Sequence, residues 1–378
     1  MKVSALRILQ IVEATGGGVG RHVLDLCERL LHSGHEVHLA YSDERMEDGF
    51  ARRMRSMDGL QRFPVSMRRS PHPSDLFAVA RIGRYLRGGE RFSIVHGHSS
   101  KGGAMARISA ALCGLPAVYT PNAFRTQDPE ISTNGFRVYR EVELALAALG
   151  GEIIAVSGDE RRHAEGLGLP PSRLHVVHNG VPLQRRAEEQ ISRAELGLSD
   201  NALVIGAVGR LTHQKAPERL LLAFEQLQHP NLQLVIVGDG PQEEQLRAQC
   251  QSLGIADRVH WLGARDGFSM MPLFDLLALP SRYEGLPYVL LEALLSGLPI
   301  VVSDVGGARE AVVDGENGWV VNEGDMPQLI SSLQRLIDDK EGRARMSLAA
   351  RHRAEQFSLS RMVERTLAVY ERALERRG

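Results

Sequence analysis

Short apolar runs recur along the chain, separated by longer stretches in which apolar residues return every three or four positions. The first pattern predicts buried strands and the second predicts amphipathic helices. Strands are expected at Ile8–Val12, Glu36–Ala40, Ser93–His96, Ala117–Thr120, Ile153–Val156 and Leu174–Val177. A second series is expected at Leu203–Val208, Gln233–Val237, Arg258–Trp261, Phe274–Leu279 and Ile300–Ser303. Helical windows lie between them at Gly20–Ser33, Gly102–Cys113, Pro217–Gln228 and Gln242–Leu253. Alternation of this kind implies parallel sheets covered by helices on both faces. Two series imply two doubly wound domains, each binding ligands at the carboxyl ends of its strands.

The break falls in the polar stretch Leu183–Leu196, where Gly197 and Asp200 supply turn chemistry before the next strand. The domains are therefore expected at 1–183 and 184–357. Ser358 is a plausible N-cap for a closing helix, in which Met362, Leu367, Tyr370 and Leu374 keep rough helical phase.

With 378 residues the chain has room for two domains, and its 43% apolar and 24% charged residues suit a globular protein. A net charge of -1 excludes nucleic-acid binding by bulk charge. The charge is uneven, however: residues 45–107 hold 13 Lys and Arg against 5 Asp and Glu. Arg52, Arg53, Arg55, Arg68, Arg69, Arg81, Arg84 and Arg87 interleave there with Met54, Met57, Phe77 and Tyr85. Such a face can lie on anionic lipid or simply be solvated. Cys27, Cys113 and Cys250 are sparse and odd in number, as in a reduced compartment, and have no metal spacing. Arg7 and Glu13 interrupt the first apolar run, and no run is long enough to span a bilayer. A cytoplasmic protein is expected, with any membrane contact peripheral, on the inner face of the cell membrane.

Five strand-to-helix junctions carry candidate chemistry. Thr15–His22 reads TGGGVGRH; its glycines let a ligand approach the backbone, and a helix N-terminus offers N–H donors to an anion. The dinucleotide fingerprint is not matched there, and a tight turn explains the segment as well. Gly209–Lys215 reads GRLTHQK and brings a forked Arg and a point-charge Lys toward one strand end, where a diphosphate can be held. Val237–Pro241 is mainly turn chemistry. Ser281–Ala293 is the strongest segment, with Glu284 on a loop and Glu292 some two turns into the next helix. Gly285 and Leu286 can present N–H groups at that helix start, and Glu292 sits in an apolar setting where a carboxylate needs partners. In Ser303–Glu310, Gly306 and Gly307 permit close backbone approach.

Together these segments, with VHGHSSKGG at 95–103, HNGV at 178–181 and the E-x7-E element, resemble the retaining, family 4 glycosyltransferases of GT-B architecture. The resemblance covers nearly the whole chain. It implies an α/β fold of two doubly wound Rossmann-like domains with parallel sheets facing a central cleft, the closing helix 358–378 packing back on the first domain. The first domain would bind the acceptor and the second a nucleotide-diphosphate sugar. Arg210 and Lys215 would hold the diphosphate and stabilise it as it leaves, and Glu284 would contact the transferred sugar. Gly209, Gly285, Leu286 and Pro287 would line the sugar and phosphates, Leu262 would flank the base, and Glu292 would bind the ribose hydroxyls. Gly17 and Gly18 would close over the phosphates. No cofactor and no obligatory metal are implied, and the chain has no D-x-D triplet.

The matching position to a histidine common among relatives is Asn122, which can hydrogen-bond a sugar but not carry a proton near neutral pH. His96, His98 and Lys101 lie nearby, and His98 and Lys101 are candidates for the acceptor side. Hexose transfer to a saccharide acceptor, lipid-linked in exopolysaccharide, O-antigen or lipopolysaccharide synthesis, is the implied activity. A non-catalytic partner subunit and a nucleotide-sugar 2-epimerase share the fold and stay open; an NAD-dependent dehydrogenase fits poorly.

Overall fold

The structure is a computed structural model that describes residues 5–44, 46–184, 191–199 and 201–376. Part of the expected linker, including Asp200, lies outside the described residues, as do Arg45 of the basic stretch and the last two positions of the closing helix. The chain divides into two compact units, Met1–Asn179 with Leu359–Gly378, and Gly180–Ser358.

The first unit is built on seven strands: β1 Arg7–Val12, β2 Glu36–Tyr41, β3 Gln61–Pro64, β4 Ile94–His98, β5 Ala117–Thr120, β6 Glu152–Ala155 and β7 Leu174–Val176. They lie side by side in the order β3-β2-β1-β4-β5-β6-β7, every pairing parallel. The order reverses between β1 and β4, which makes that pair the switch point where the following loops diverge. On one face, helix Gly17–His32 buries Val23, Leu24, Leu26, Cys27 and Leu30 against the sheet. Helix Leu359–Glu375 joins the same core through Met362, Val363, Val369 and Tyr370.

The second unit has six strands: β8 Leu203–Val208, β9 Leu232–Val237, β10 Val259–Trp261, β11 Leu276–Leu279, β12 Ile300–Ser303 and β13 Gly318–Val321. Their order is β10-β9-β8-β11-β12-β13, again all parallel, with the switch between β8 and β11.

Two strands escaped the sequence pattern, β3 and β13. β3 is a sheet edge whose residues Gln61, Arg62 and Pro64 are exposed, so it has no apolar signature. β13 is a four-residue edge led by Gly318, and Cα packing against Ile300 leaves no room there for a side chain. Cys27 and Cys250 are buried and Cys113 is partly so, all three free thiols outside any disulfide. Among the described residues, no helix is long and apolar enough to cross a membrane.

Candidate active site

In the second unit, the two segments with the strongest chemistry leave neighbouring strands at the switch point. Gly209–Thr212 follows β8, and Pro280–Pro287 follows β11. They are laced together by backbone and side chain. Arg282 N–H donates to Gln214 O at 2.8 Å, and Arg282 Nη1 donates to His213 O at 2.7 Å. The Gln214 amide donates to Tyr283 O at 3.1 Å, and Arg282 Nη2 pairs with Glu218 at 2.7 Å. Across this lacing, Lys215 Nζ stands 2.5 Å from Glu284 Oε1, with Glu284 only 7% exposed. Gly209, Arg210 and Lys215 line a common cavity of about 30 Å³ with Pro280 and Ser281, while Arg210 remains exposed.

The glycines of the neighbouring turns are required by close backbone approach. Gly306 has φ +54°, and a Cβ there would collide with the carbonyls of Glu284 and Gly285. Gly307 N–H hooks onto Gly285 O at 2.7 Å, so the turn after β12 fixes the loop that carries Glu284. On the other side of β8, Leu262 N–H donates to Ile236 O and Gly238 N–H to Gly263 O, which places Leu262 beside the turn after β9.

Helix Tyr288–Ser296 begins later than the spacing suggested, so Glu292 lies one turn into it rather than two. It is 5% exposed, and one of its oxygens stands beside Gly267, next to Val208. Gly285, Leu286 and Pro287 precede the helix, with Pro287 at its N-cap and Leu286 buried. The site residues predicted in this unit therefore fall at one edge of one sheet: Gly209, Arg210, Lys215, Leu262, Glu284, Gly285, Leu286 and Pro287 on the loops and turns after the strands, and Glu292 on the helix that follows.

In the first unit, helix Gly17–His32 starts with Gly16 as an uncapped N-cap and Gly17 at φ +59°. Sequence reading missed what sits there: the Glu47 carboxylate rests on Gly16 and accepts Gly17 N–H at 3.3 Å. Gly17 and Gly18 are exposed. After β5, Asn122 and Ala123 both adopt left-handed φ, +54° and +82°. The buried Glu160 holds this kink by accepting Ala123 N–H at 2.6 Å with one oxygen and Val156 N–H at 2.6 Å with the other. Burial raises its pKa to about 7. No spacing rule links Glu160 to Asn122, because the contact depends on the kink itself.

His98 is fully buried, unlike a surface contact, and its Nε2 hydrogen-bonds Gln10 at 2.8 Å. It belongs to a stack with His96 and His22, at ring separations of 4.1 and 5.3 Å. His96 bridges Tyr370 Oη at 2.7 Å and Thr120 Oγ1 at 2.8 Å, and Gln10 donates to the same Tyr370 hydroxyl at 3.0 Å. His22 meets Asn179 at 3.0 Å, which explains both the histidine of the glycine turn and the asparagine of HNGV. Burial lowers the pKa of all three histidines, that of His22 to about 4, so the stack is neutral at pH 7. Lys101 is paired with Asp75 at 2.5 Å and donates to Ser70 O at 3.1 Å.

Two doubly wound parallel sheets, one carrying a cation–carboxylate cluster at its switch point, define the GT-B class of sugar-transferring proteins. The family model described as Glycosyl transferases group 1 matches residues 188–353, and that described as Glycosyltransferase Family 4 matches residues 16–185. An Escherichia coli UDP-Gal:alpha-D-GlcNAc-diphosphoundecaprenol alpha-1,3-galactosyltransferase is 32% identical, over 66% of this chain and 68% of its own. The alpha-maltose-1-phosphate synthase of Mycolicibacterium smegmatis is 30% identical, over 74% and 79%. Among solved structures, Anabaena HepE in complex with UDP-glucose has a TM-score of 0.82 at 22% identity, covering 96% of this chain and 99% of that one. The chain belongs to the family 4 glycosyltransferases and is a glycosyltransferase of GT-B fold.

Proposed function

We propose that the protein is a retaining hexosyltransferase that moves a hexose from a UDP-sugar to a lipid-linked saccharide in surface-polysaccharide assembly. The observation that carries this reading is the Lys215–Glu284 pair at the β8/β11 switch point, with the exposed Arg210 beside it. Transfer breaks the bond between the anomeric carbon and the diphosphate, and charge accumulates on the departing oxygens. Fixed cations aimed at that group stabilise it without reorganisation. Arg210 and Lys215 are the candidates for this role, and Glu284 both orients Lys215 and lies where the sugar would sit. The acceptor oxygen then bonds the same face of the anomeric carbon, and its proton passes to the departing phosphate. No protein nucleophile is assigned. Glu292, shielded from water, would take the ribose hydroxyls, and Leu262 would flank the base. Asn122, Gly17 and Gly18 are the first unit's candidates for contact with the donor. No metal or cofactor takes part in this reading.

Support for the base and the acceptor class comes from relatives: the E. coli enzyme is named for UDP-Gal and a diphosphoundecaprenol acceptor. A lipid-linked acceptor suits a protein with an apolar, basic face, acting at the cytoplasmic side of a membrane. In helix Asp75–Arg87, Leu76 and Phe77 are 76% and 78% exposed, and Arg81 and Arg84 follow on the same helix. Such a tip can enter the headgroup layer of an anionic bilayer. His98 and Lys101 are spent on internal bonds, His98 on Gln10 of β1 and Lys101 on Ser70 and on Asp75, the first residue of helix Asp75–Arg87, so they would act on the acceptor side only by holding these elements in place. A thermal-shift panel of UDP, GDP, ADP, TDP and their sugar conjugates tests the donor assignment. A rise with UDP that disappears in Glu292→Ala supports it; no rise with any nucleotide removes it. Product identification with a polyprenyl-diphosphate saccharide separates transfer from 2-epimerisation.

A further inference from the structure

A cavity of about 180 Å³ lies in the first unit at the amino ends of β5 and β6, the sheet edge opposite the site loops. Its walls come from helix Ser99–Cys113, from the turn Leu149–Gly151 before β6, and from the closing helix. Arg107, Arg173 and Arg376 all line it.

Arg107 is 2% exposed. Its Nε donates to Gly103 O at 3.2 Å, its Nη2 to Glu143 Oε2 at 2.9 Å, and its guanidinium lies 4.0 Å from the Tyr119 ring centre. Nη1 is buried and has no acceptor. Buried donors are nearly always satisfied, by protein, water or an ion. Arg173 spends Nη1 on Ala147 O at 3.1 Å. Arg376 reaches Ser172 O at 2.5 Å and pairs with Glu152 Oε1 at 3.2 Å. The other Glu152 oxygen is 2.6 Å from His175 Nε2, so both carboxylate oxygens are engaged. Arg107 thus pairs with Glu143 and Arg376 with Glu152, while Arg173 donates to a carbonyl, and one of the three positive charges is left over.

We infer that this cavity binds a small tetrahedral oxyanion, either free phosphate or the phosphate group of a small monoester. Guanidiniums are suited to oxyanions because their planar N–H forks match two oxygens at once. The anion supplies the acceptor that Arg107 Nη1 lacks, and it bridges to Arg173 and Arg376. Because Arg376 directly follows the helix that carries Tyr370, the anion ties down the end of the element that holds Gln10 and His96. The assignment is independent of the sugar-transfer reading.

The test is calorimetric titration and thermal shift with inorganic phosphate, with sodium chloride holding ionic strength constant. A binding isotherm and a rise in Tm are expected in the wild type and in Arg210→Ala/Lys215→Ala, which removes the phosphate-binding candidates of the other unit. In Arg173→Gln/Arg376→Gln the affinity should drop about tenfold or more, the loss of one or two charge-assisted contacts. These two positions are at or near the surface, so the result does not depend on whether Arg107→Met folds. Glycerol phosphate serves as the second arm: tighter binding than phosphate assigns the site to a monoester, and equal or weaker binding assigns it to the free ion. No isotherm with either, an isotherm unchanged in Arg173→Gln/Arg376→Gln, or one that vanishes in Arg210→Ala/Lys215→Ala overturns the proposal.

Discussion

Lys215 Nζ lies 2.5 Å from Glu284 Oε1, although the two residues leave different strands of the sheet, β8 and β11. The carboxylate is nearly buried, and it draws the ammonium to a fixed point. A cation held in place before the reaction gives more stabilisation to a departing diphosphate than a mobile one. Lys215→Ala should therefore lower kcat by about 10²- to 10³-fold with a small change in donor KM. Glu292→Ala should do the reverse, raising donor KM and leaving kcat closer to wild type. Steady-state kinetics with varied UDP-sugar separate the two; unchanged kinetics in both variants would remove the donor-site assignment.

Gly306 is not replaceable by a residue with a side chain. Its φ is +54°, and a Cβ would strike the carbonyls of Glu284 and Gly285. Gly306→Ala should displace the loop holding Glu284 and cost activity by more than tenfold. Its global stability should fall by only about 1–2 kcal/mol, because the loop is outside the core. Activity measured beside denaturant unfolding checks the split, and parallel losses would mean the glycine serves folding alone.

Two opposed proton linkages act in the first unit. His22, with a folded pKa of about 4 against 6.5 in the open chain, contributes stability that is complete above pH 6.5 and is lost as pH falls toward 4. Alone it amounts to about 3 kcal/mol across that window, and His96 and His98 act in the same direction. Glu160 runs the other way. Its folded pKa is raised to about 7, so its contribution is complete below 4.5 and is lost as pH rises to 7. Glu160→Gln removes the opposing linkage. Between pH 7 and 4.5 this variant should therefore lose stability more steeply than wild type. Urea unfolding at stepped pH reads the slopes, and equal slopes would show that the Glu160 pKa is not raised by folding and that its carboxylate is charged across this window as in the open chain.

Tyr370 ties the closing helix to β1 and β4 through one hydroxyl, shared by Gln10 and His96. Tyr370→Phe leaves both partners buried with a bond missing, at a cost of about 1–3 kcal/mol. The loss should appear as a lower Tm and as faster amide exchange along helix Leu359–Glu375. A variant as stable as wild type would assign the helix docking to Met362, Val363 and Val369 alone.

Periodicity determined much of this protein directly. Buried parallel strands must be apolar along their length, so β1, β2 and β4 to β12 announce themselves, with the helices Gly17–His32, Ser99–Cys113, Pro217–Gln226 and Glu243–Ser252 between them. The residue types at Gly209–Lys215 and Ser281–Ala293 also pointed to phosphate and sugar chemistry before any fold was known. β3 was illegible because its residues are largely exposed at a sheet edge, and β13 because it is a short edge run led by Gly318. Tertiary structure alone decided which polar groups meet. It set Glu284 on Lys215, Glu47 on the glycine turn, Glu160 under Ala123, and His22 against Asn179. It also turned His98 inward, where a strand-end histidine read as a surface ligand. Local sequence carries hydrophobic phase and turn chemistry, which act over a few residues. Pairings between distant residues depend on strand order and loop kinks, and those exist only once the sheet has assembled.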